Sequence, residues 1–260
     1  MKQYIVDAFT DRPFAGNPAA VCVTEAPLPD SFMQKLAVEN NLSETAFLLR
    51  EGDGWRLRWF TPGTEVDLCG HATLASSFVV LNHCEPGKDI VTFYTRSGVL
   101  AVTRKGERYE MDFPVFPYRE VPVTDEMEAA FGIRPVKALL GEELVCVFAD
   151  EAEIRRMTPN QALIVKLDGR CQHVTAPGTE CDCVSRSFAP KLAIPEDPVC
   201  GSAHCQIAPY WAKVTGKTEI CAYQASKRGG HLYCRVTGNG RVAISGEAAL
   251  VAVSEIVAKP

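Results

Sequence analysis

Two short phrases in this chain carry residue types that can move a proton. Cys69-Gly70-His71-Ala72 and Cys200-Gly201-Ser202-Ala203 are nearly the same words, offset by 131 residues in a chain of 260. Each opens an apolar run, "LCGHATLASSFVVLNH" and "VCGSAHCQIAPYWAKVTG". Runs with so little polar face predict helices buried nearly all round. The first turn of a helix exposes N–H groups without internal partners and carries partial positive charge. Glycine lets a guest approach the backbone closely. Gly70 and Gly201 are therefore candidate binding positions for a small carboxylate. Each helix start contributes about 0.3–1 kcal/mol when exposed and up to about 2 kcal/mol when partly buried. That matters most if the negative charge grows during reaction, as in an enolate.

Four side chains near these starts could do acid–base work. Glu44 sits in "NNLSETAF" among Leu42, Ala46, Phe47 and Leu48. Partial burial there raises a carboxyl toward the range of a useful base. His71 could share or relay the proton, Asp197 could orient a partner or cap a helix, and Ser202 could donate to substrate or to backbone. Cys69 and Cys200 offer a second chemistry. A helix start lowers a thiol pKa, and two thiols on opposite faces of one carbon would racemise or epimerise it without a cofactor. An ordinary structural role is open to every one of these residues, and for the cysteines it is that of small buried hydrophobes.

The elements that must hold these residues read as many short strands around two helices. "QYIVDAFT" and "GNPAAVCVT" are strands, the second after a Gly-Asn-Pro turn. "FMQKLAVENN" is a short amphipathic helix, capped by Asp30 or Ser31, with Phe32, Leu36 and Val38 facing inward. "ETAFLLR" and "GWRLRWFT" form a strand pair joined at "EGDG". "DIVTFYT", "GVLAVTRKG" and "RYEMDFP" continue as strands. The Pro-rich stretch Phe113–Val123 is the linker candidate. Residues 124–136 predict a helix. "LLGEELVCVFAD", "ALIVKLDG", "CQHVTAP", "CDCVSRSFAP", "EICAYQAS", "HLYCRVTG", "RVAISG" and "ALVAVSEIV" read as strands, and Pro209 could kink the second apolar helix. A period near 130 residues is too long for a solenoid, so the repeated phrase points to two duplicated lobes. Their expected extents are 1–117, with its central helix near 70–82, and 118–260, with its central helix near 201–215. The last ten or so residues could pack back on the first lobe.

Bulk composition narrows the partners. A net charge of −5 without a basic cluster argues against nucleic acid or an anionic membrane. No run of 18 apolar residues exists, so no membrane span is expected. The N-terminus lacks an export-type apolar stretch. A reducing cytoplasm with mostly free thiols is therefore expected for the eleven cysteines. Cys181-Asp182-Cys183 has no partner pair at zinc-site spacing, so no metal is expected. Trp55, Trp59, Trp211, Tyr210 and Tyr223 could line a pocket, although aromatics more often fill cores.

Six ordered phrases carry a family resemblance: "VDAFTDRPFAGNPAAV", "LSETAF", "RWFTP", "DLCGHATLA", "SRSFAP" and "EDPVCGSAH". Together they resemble the PhzF-like isomerases of phenazine biosynthesis. The resemblance implies an α+β, diaminopimelate epimerase-like fold, with two pseudo-symmetric β-barrel-like lobes each around a central helix and the site between them. It places the acid/base glutamate at Glu44, a supporting histidine at His71, an aspartate at Asp197, and the Gly-Ser pair at Gly201 and Ser202. It implies a cofactor-free homodimer acting on a small carboxylate. One departure stands out: phenazine-making members usually lack a thiol at the place of Cys200, whereas the related epimerases carry the pair matched by Cys69 and Cys200. Those epimerases typically have Asn where this chain has His71. The expectation is therefore a proton-shifting isomerase with Glu44 as base, then a two-thiol epimerase, then a binding module without catalysis.

Overall fold

The computed structural model describes residues 1–192 and 194–260. They form two compact units, residues 1–112 with 245–260, and residues 113–244. In chain order the elements are β1 (Lys2–Ala8), β2 (Asn17–Thr24), α1 (Asp30–Asn40), β3 (Glu44–Glu51), β4 (Gly54–Phe60), β5 (Glu65–Val66), α2 (Gly70–Val79), β6 (Ile90–Thr95), β7 (Gly98–Lys105) and β8 (Arg108–Pro114). There follow β9 (Arg119–Val121), α3 (Asp125–Phe131), β10 (Lys137–Leu140), β11 (Leu144–Val147), α4 (Glu151–Arg156), α5 (Gln161–Ile164), β12 (Gln172–Pro177), β13 (Cys183–Ala189) and β14 (Ile194–Asp197). The chain ends with α6 (His204–Thr215), β15 (Glu219–Gln224), β16 (Gly230–Val236), β17 (Arg241–Gly246) and β18 (Ala248–Glu255).

The strand pairings of the first unit recur in the second. In the first, β18 runs antiparallel to β1, β1 antiparallel to β2, and β2 parallel to β3. β3 is antiparallel to β4, which pairs antiparallel with β5 and parallel with β6, and β6 is antiparallel to β7. In the second, the same order runs through β9, β10, β11, β12, β13, β14, β15 and β16, with the same sequence of senses. Cys69 and Cys200 each lie between the short strand and the long helix of their unit. The duplicated phrase is thus the visible part of a duplicated topology, and the fold is α+β.

Each parallel pair needs a helical crossover, because parallel neighbours cannot be joined by a tight turn. In the first unit α1 supplies it, burying Met33, Leu36 and Ala37 against Cys22, Phe47 and Phe60. Val38, expected inside, is more than half exposed, and Ala37 takes its place. The expected cap is also absent: Pro29 precedes the helix and no side chain caps it, with Asp30 already in the first turn.

α2 is the central helix of its unit, and eight of its ten residues are buried. Its buried hydroxyls are satisfied within the helix. The hydroxyls of Thr73, Ser76 and Ser77 each donate to the carbonyl four residues earlier. That is how "ATLASSF" enters a core without leaving unpaired donors. The helix continues as a wider, π-type turn over Val80–Cys84.

The second unit packs Phe131, Phe148 and Phe188 at the centre of its core. α3 is shorter than expected. Thr124 caps it through the N–H of Met127, and Gly132, at φ 73°, ends it. The apolar run in "ALIVKLDG" is helix α5 and turns rather than a strand. Asn160 accepts from the Ala162 N–H and starts a helical turn, and four apolar residues in a row do not distinguish the two periods. Trp55, Trp59 and Trp211 are buried core residues. Cys181 and Cys221 form a disulfide and the other nine cysteines are free. No helix among the described residues is long and apolar enough to cross a membrane.

Candidate active site

Three segments of the first unit build one buried cluster. β2 opens on Asn17, β3 opens on Glu44, and α2 begins after Cys69. Parallel pairing of β2 with β3 sets Glu44 beside Ala19, two residues from Asn17. His71 is the second residue of α2, so its ring projects from the helix start. Glu44, Cys69 and His71 are exposed by only 8%, 8% and 6%.

His71 has a close polar neighbour at each ring nitrogen. Nδ1 lies 3.2 Å from Asn17 Nδ2, which donates to it, and 3.5 Å from Cys69 Sγ. With Nδ1 accepting, the proton of the neutral ring sits on Nε2. Nε2 lies 2.9 Å from Glu44 Oε2. The two atoms are close but misaligned: both are buried, and neither has a hydrogen-bond partner among the described residues. A buried polar atom in that condition costs about 1–3 kcal/mol, so a ligand or water that aligned with both would be strongly held.

Burial works against protonation of His71, but Cys69 and Glu44 outweigh it and hold the imidazole well above its ordinary value. Burial and the Glu44 charge push the Cys69 thiol up, against the opposing pull of His71 and the Ala72 N–H. Cys200 is pushed well up by burial, Asp197 and Glu143, against Ser202 and the Ala203 N–H. Burial thus opposes, at both thiols, the effect by which a helix start favours thiolate. The desolvation cost of a buried thiolate exceeds the benefit of a helix end.

The second unit repeats the local design with other side chains. Cys200 Sγ meets Ser202 Oγ at 3.3 Å, as Cys69 meets the residue two positions on. The His204 ring lies 2.8 Å from the Cys200 carbonyl, as the Thr73 hydroxyl caps that of Cys69. α6 begins at His204, later than expected, because the turn before it closes with three-residue bonds from His204 to Gly201 and from Cys205 to Ser202. Gly70 is thus the first helical residue of α2, whereas Gly201 lies in the tight turn ahead of α6. Asp197 does not cap α6; its Oδ1 accepts from the Val199 N–H.

The structure brings Glu44, Cys69, Gly70 and His71 together in the first unit, and Asp197, Cys200, Gly201 and Ser202 in the second. Sequence reasoning missed Asn17, which fixes the His71 tautomer. Its signal was a polar residue heading an apolar strand. It also missed Gln224, fully buried, which accepts from the Cys200 N–H at 2.9 Å and donates to the Asp197 carbonyl at 2.6 Å. A buried ion pair, Glu143 with His173 at 2.9 Å and Arg170 at 3.2 Å, was missed as well. Burial would raise the Glu143 carboxyl, but His173 and Arg170 hold it below its usual range. A metal was not expected, yet the donor atoms of Glu44, Cys69 and His71 all lie within 4.8 Å of one another. Zinc-type spacing in sequence could not reveal them, because they come from separate segments.

An α+β chain with two topologically equivalent units and a carboxylate–imidazole pair at one helix start belongs to a recognisable class. The family model for phenazine biosynthesis-like proteins (PhzC-PhzF) matches residues 6–254. An uncharacterized isomerase of Pseudomonas aeruginosa is 49% identical over 253 residues, covering 96% of each chain. A phenazine biosynthesis-like domain-containing protein of Homo sapiens is 37% identical over 276 residues, covering 95% of this chain and 96% of that one. The crystal structure of a PhzF-family protein from Enterococcus faecalis superposes with a TM-score of 0.97 at 49% identity, over 99% of both chains. A structure described as a probable proline racemase from Agrobacterium radiobacter, 12% identical with a TM-score of 0.65 over 100% of this chain and 93% of that one, shares the fold alone. The chain belongs to the phenazine biosynthesis-like (PhzF) family. It is an enzyme of the isomerase class.

Proposed function

We propose that this chain is a cofactor-independent isomerase that shifts a proton and a double bond in a small carboxylate, with Glu44 as the base. The observation that carries the reading is the buried Glu44–His71 pair, close at 2.9 Å and yet without aligned partners among the described residues. The Glu44 carboxylate takes a proton from a carbon next to an unsaturated group. The electron pair of that C–H bond forms a new double bond, and the old one becomes an enolate or dienolate. The N–H groups of the first turn of α2, at Gly70 and His71, suit a developing negative charge. The proton then returns from Glu44, or from His71 Nε2, to the far carbon, so that substrate and product have the same atoms. As written, the step needs no cofactor.

Asp197 is proposed as a further catalytic residue, and Gly70, Gly201 and Ser202 as substrate-binding residues, as the family resemblance implies. Ser202→Ala is expected to raise KM more than it lowers kcat. The homodimer implied by the family resemblance is part of the same proposal, and light scattering checks it.

The test is incubation in D2O with a panel of small unsaturated carboxylates, followed by proton NMR. The expected result is double-bond migration with deuterium at the receiving carbon, lost on Glu44→Gln. Normal turnover of Glu44→Gln beside an inactive Cys200→Ser would replace this reading with the two-thiol epimerase. The thiols are disfavoured because burial raises both, away from the thiolate such chemistry needs.

A further inference from the structure

We propose that Gln224 and Ser226 are positioning residues that hold residues 197–202, the segment carrying Asp197, Gly201 and Ser202, in working shape without touching substrate. The chemistry they serve rests on the proposed function, whereas the hydrogen bonds lie wholly within the second unit. β13 shares one edge between two neighbours. Cys183, Val184 and Ser185 pair with β15, while Ser187 and Ala189 pair with β14. Gln224 ends β15 opposite Ser185, and Asp197 ends β14 opposite Ser187. Gln224 therefore stands where β13 changes partners, and it is fully buried. Its Nε2 donates to the Asp197 carbonyl at 2.6 Å. Its Oε1 accepts from the Cys200 N–H at 2.9 Å and from the Ser187 hydroxyl at 3.4 Å. One amide thus ties both ends of residues 197–200 to the sheet. Ser226 fixes the middle, its hydroxyl donating to the Pro198 carbonyl at 2.7 Å.

The first unit supplies independent support. β6 pairs in parallel with β4 as β15 pairs with β13, so the two strands hold equivalent places. Ser97 stands two residues past the end of β6, as Ser226 stands two past the end of β15. The Ser97 hydroxyl donates at 2.7 Å to the carbonyl of Asp67, two residues before Cys69, just as Pro198 is two before Cys200. A strut built twice at one spacing points to a task the units share, the delivery of the Cys-Gly phrase. The amide clamp belongs to the second unit, because Thr95 at the end of β6 bonds within its own turn, to the Gly98 carbonyl. A buried amide with donor and acceptor both engaged leaves an unsatisfied group behind when either bond is removed. With the Cys200 N–H taken by Gln224, the backbone donors proposed for substrate begin at Gly201 and Ser202, and the residue Gln224 holds sets their direction.

The test joins ¹⁵N NMR to kinetics on the parent chain, Gln224→Met, Ser226→Ala and Ser226→Thr. Methionine keeps the volume of Gln224 and neither hydrogen bond. In Gln224→Met the Cys200 N–H should exchange with solvent roughly tenfold faster, the weight of one hydrogen bond, and the Gly201 and Ser202 amides should lose order. With the carboxylate that the parent turns over, kcat/KM should fall by up to about 10²-fold, the scale of a displaced group. Ser202→Ala should then cost less in the Gln224→Met background than in the parent, because its hydroxyl is already out of place. Ser226→Ala should show a smaller change of the same kind, and Ser226→Thr, which keeps the hydroxyl, should restore the parent. These two variants keep the test decisive if Gln224→Met fails to fold. If the parent turns over no carboxylate, the proposed function falls and the amide measurements alone judge the clamp. Parent-like order at Gly201 and Ser202 in Gln224→Met, or in Ser226→Ala should the first not fold, overturns the positioning role. Full additivity of Gln224→Met with Ser202→Ala overturns it too.

Discussion

Glu44 Oε2 and His71 Nε2 sit 2.9 Å apart in a buried setting, off the line that a good hydrogen bond requires. Hydrogen bonds weaken steeply as that angle closes, so the pair is near enough to share a proton and poorly committed to holding it. Glu44→Gln keeps the shape and removes the base. General acid–base groups contribute about 10²–10⁴-fold, and kcat is expected to fall by that range. The thermal midpoint should also fall, because the buried imidazole loses the charge that helps hold its proton. Steady-state kinetics beside a thermal melt checks both, and a variant that keeps full kcat would remove Glu44 from the mechanism.

Asn17 decides which face of the imidazole carries the proton. Its amide donates to Nδ1 at 3.2 Å, which leaves the neutral ring's N–H on the side of Glu44. Asn17→Ala frees Nδ1, and both tautomers become populated. Activity is expected to fall by up to about 10²-fold, the scale of a misplaced rather than a missing group. The ¹⁵N shifts of the His71 ring supply a readout that a merely structural role would leave unmoved. Measured above the raised His71 value, where the ring is neutral, they should report mainly protonated Nε2 in the parent chain and a mixture in the variant. A neutral parent ring protonated at Nδ1 would refute the assignment.

Much of this architecture could be read from the chain because the informative signals are local. The period-two strands, the two apolar helices and the repeated Cys-Gly phrase depend on neighbours in sequence. What could not be read depends on contacts across the chain. Asn17 and His71 are 54 residues apart, and only the pairing of β2 with β3 and the seat of α2 bring them together. The setting of the thiols depends on such contacts too: a helix start is visible in sequence, whereas the desolvation that raises Cys69 and Cys200 is not. In "ALIVKLDG" the apolar run fits strand and helix equally, and the Asn160 cap decided it.

Phe14 and Phe9 make a controlled pair for backbone strain. Both are non-glycine residues in the left-handed region, at φ 68° and 64°. Phe9 is fully buried, whereas Phe14 is 79% exposed, with its N–H bonded to Asp7 Oδ2 at 2.7 Å. The left-handed conformation costs such residues roughly 1–2 kcal/mol. Glycine adopts it freely but gives back about 0.4–1 kcal/mol through the unfolded chain. Phe14→Gly is therefore expected to leave stability unchanged or raise it by up to about 1 kcal/mol. Phe9→Gly loses a core ring and should cost about 3–5 kcal/mol. Urea unfolding of the two variants separates strain from packing, and a large loss in Phe14→Gly would show that its ring is not idle on the surface.

His204 should govern part of the acid sensitivity of the second unit. Burial lowers its pKa from 6.5 to about 4, and nearby His173 adds to the effect against the opposing bond to the Cys200 carbonyl. The unfolded chain takes up this proton near pH 6.5, while the folded chain resists it until about pH 4. Between those values the unfolded state binds more protons, so stability is full above about pH 6.5 and falls as the pH drops toward 4. At 1.36 kcal/mol per unit the greatest loss is about 3 kcal/mol. His204→Asn keeps a donor for the Cys200 carbonyl and cannot titrate. Its stability should be flatter than that of the parent across this window, as measured by chemical unfolding at several pH values. Equal slopes for the two proteins would mean that His204 is not the group that resists protonation.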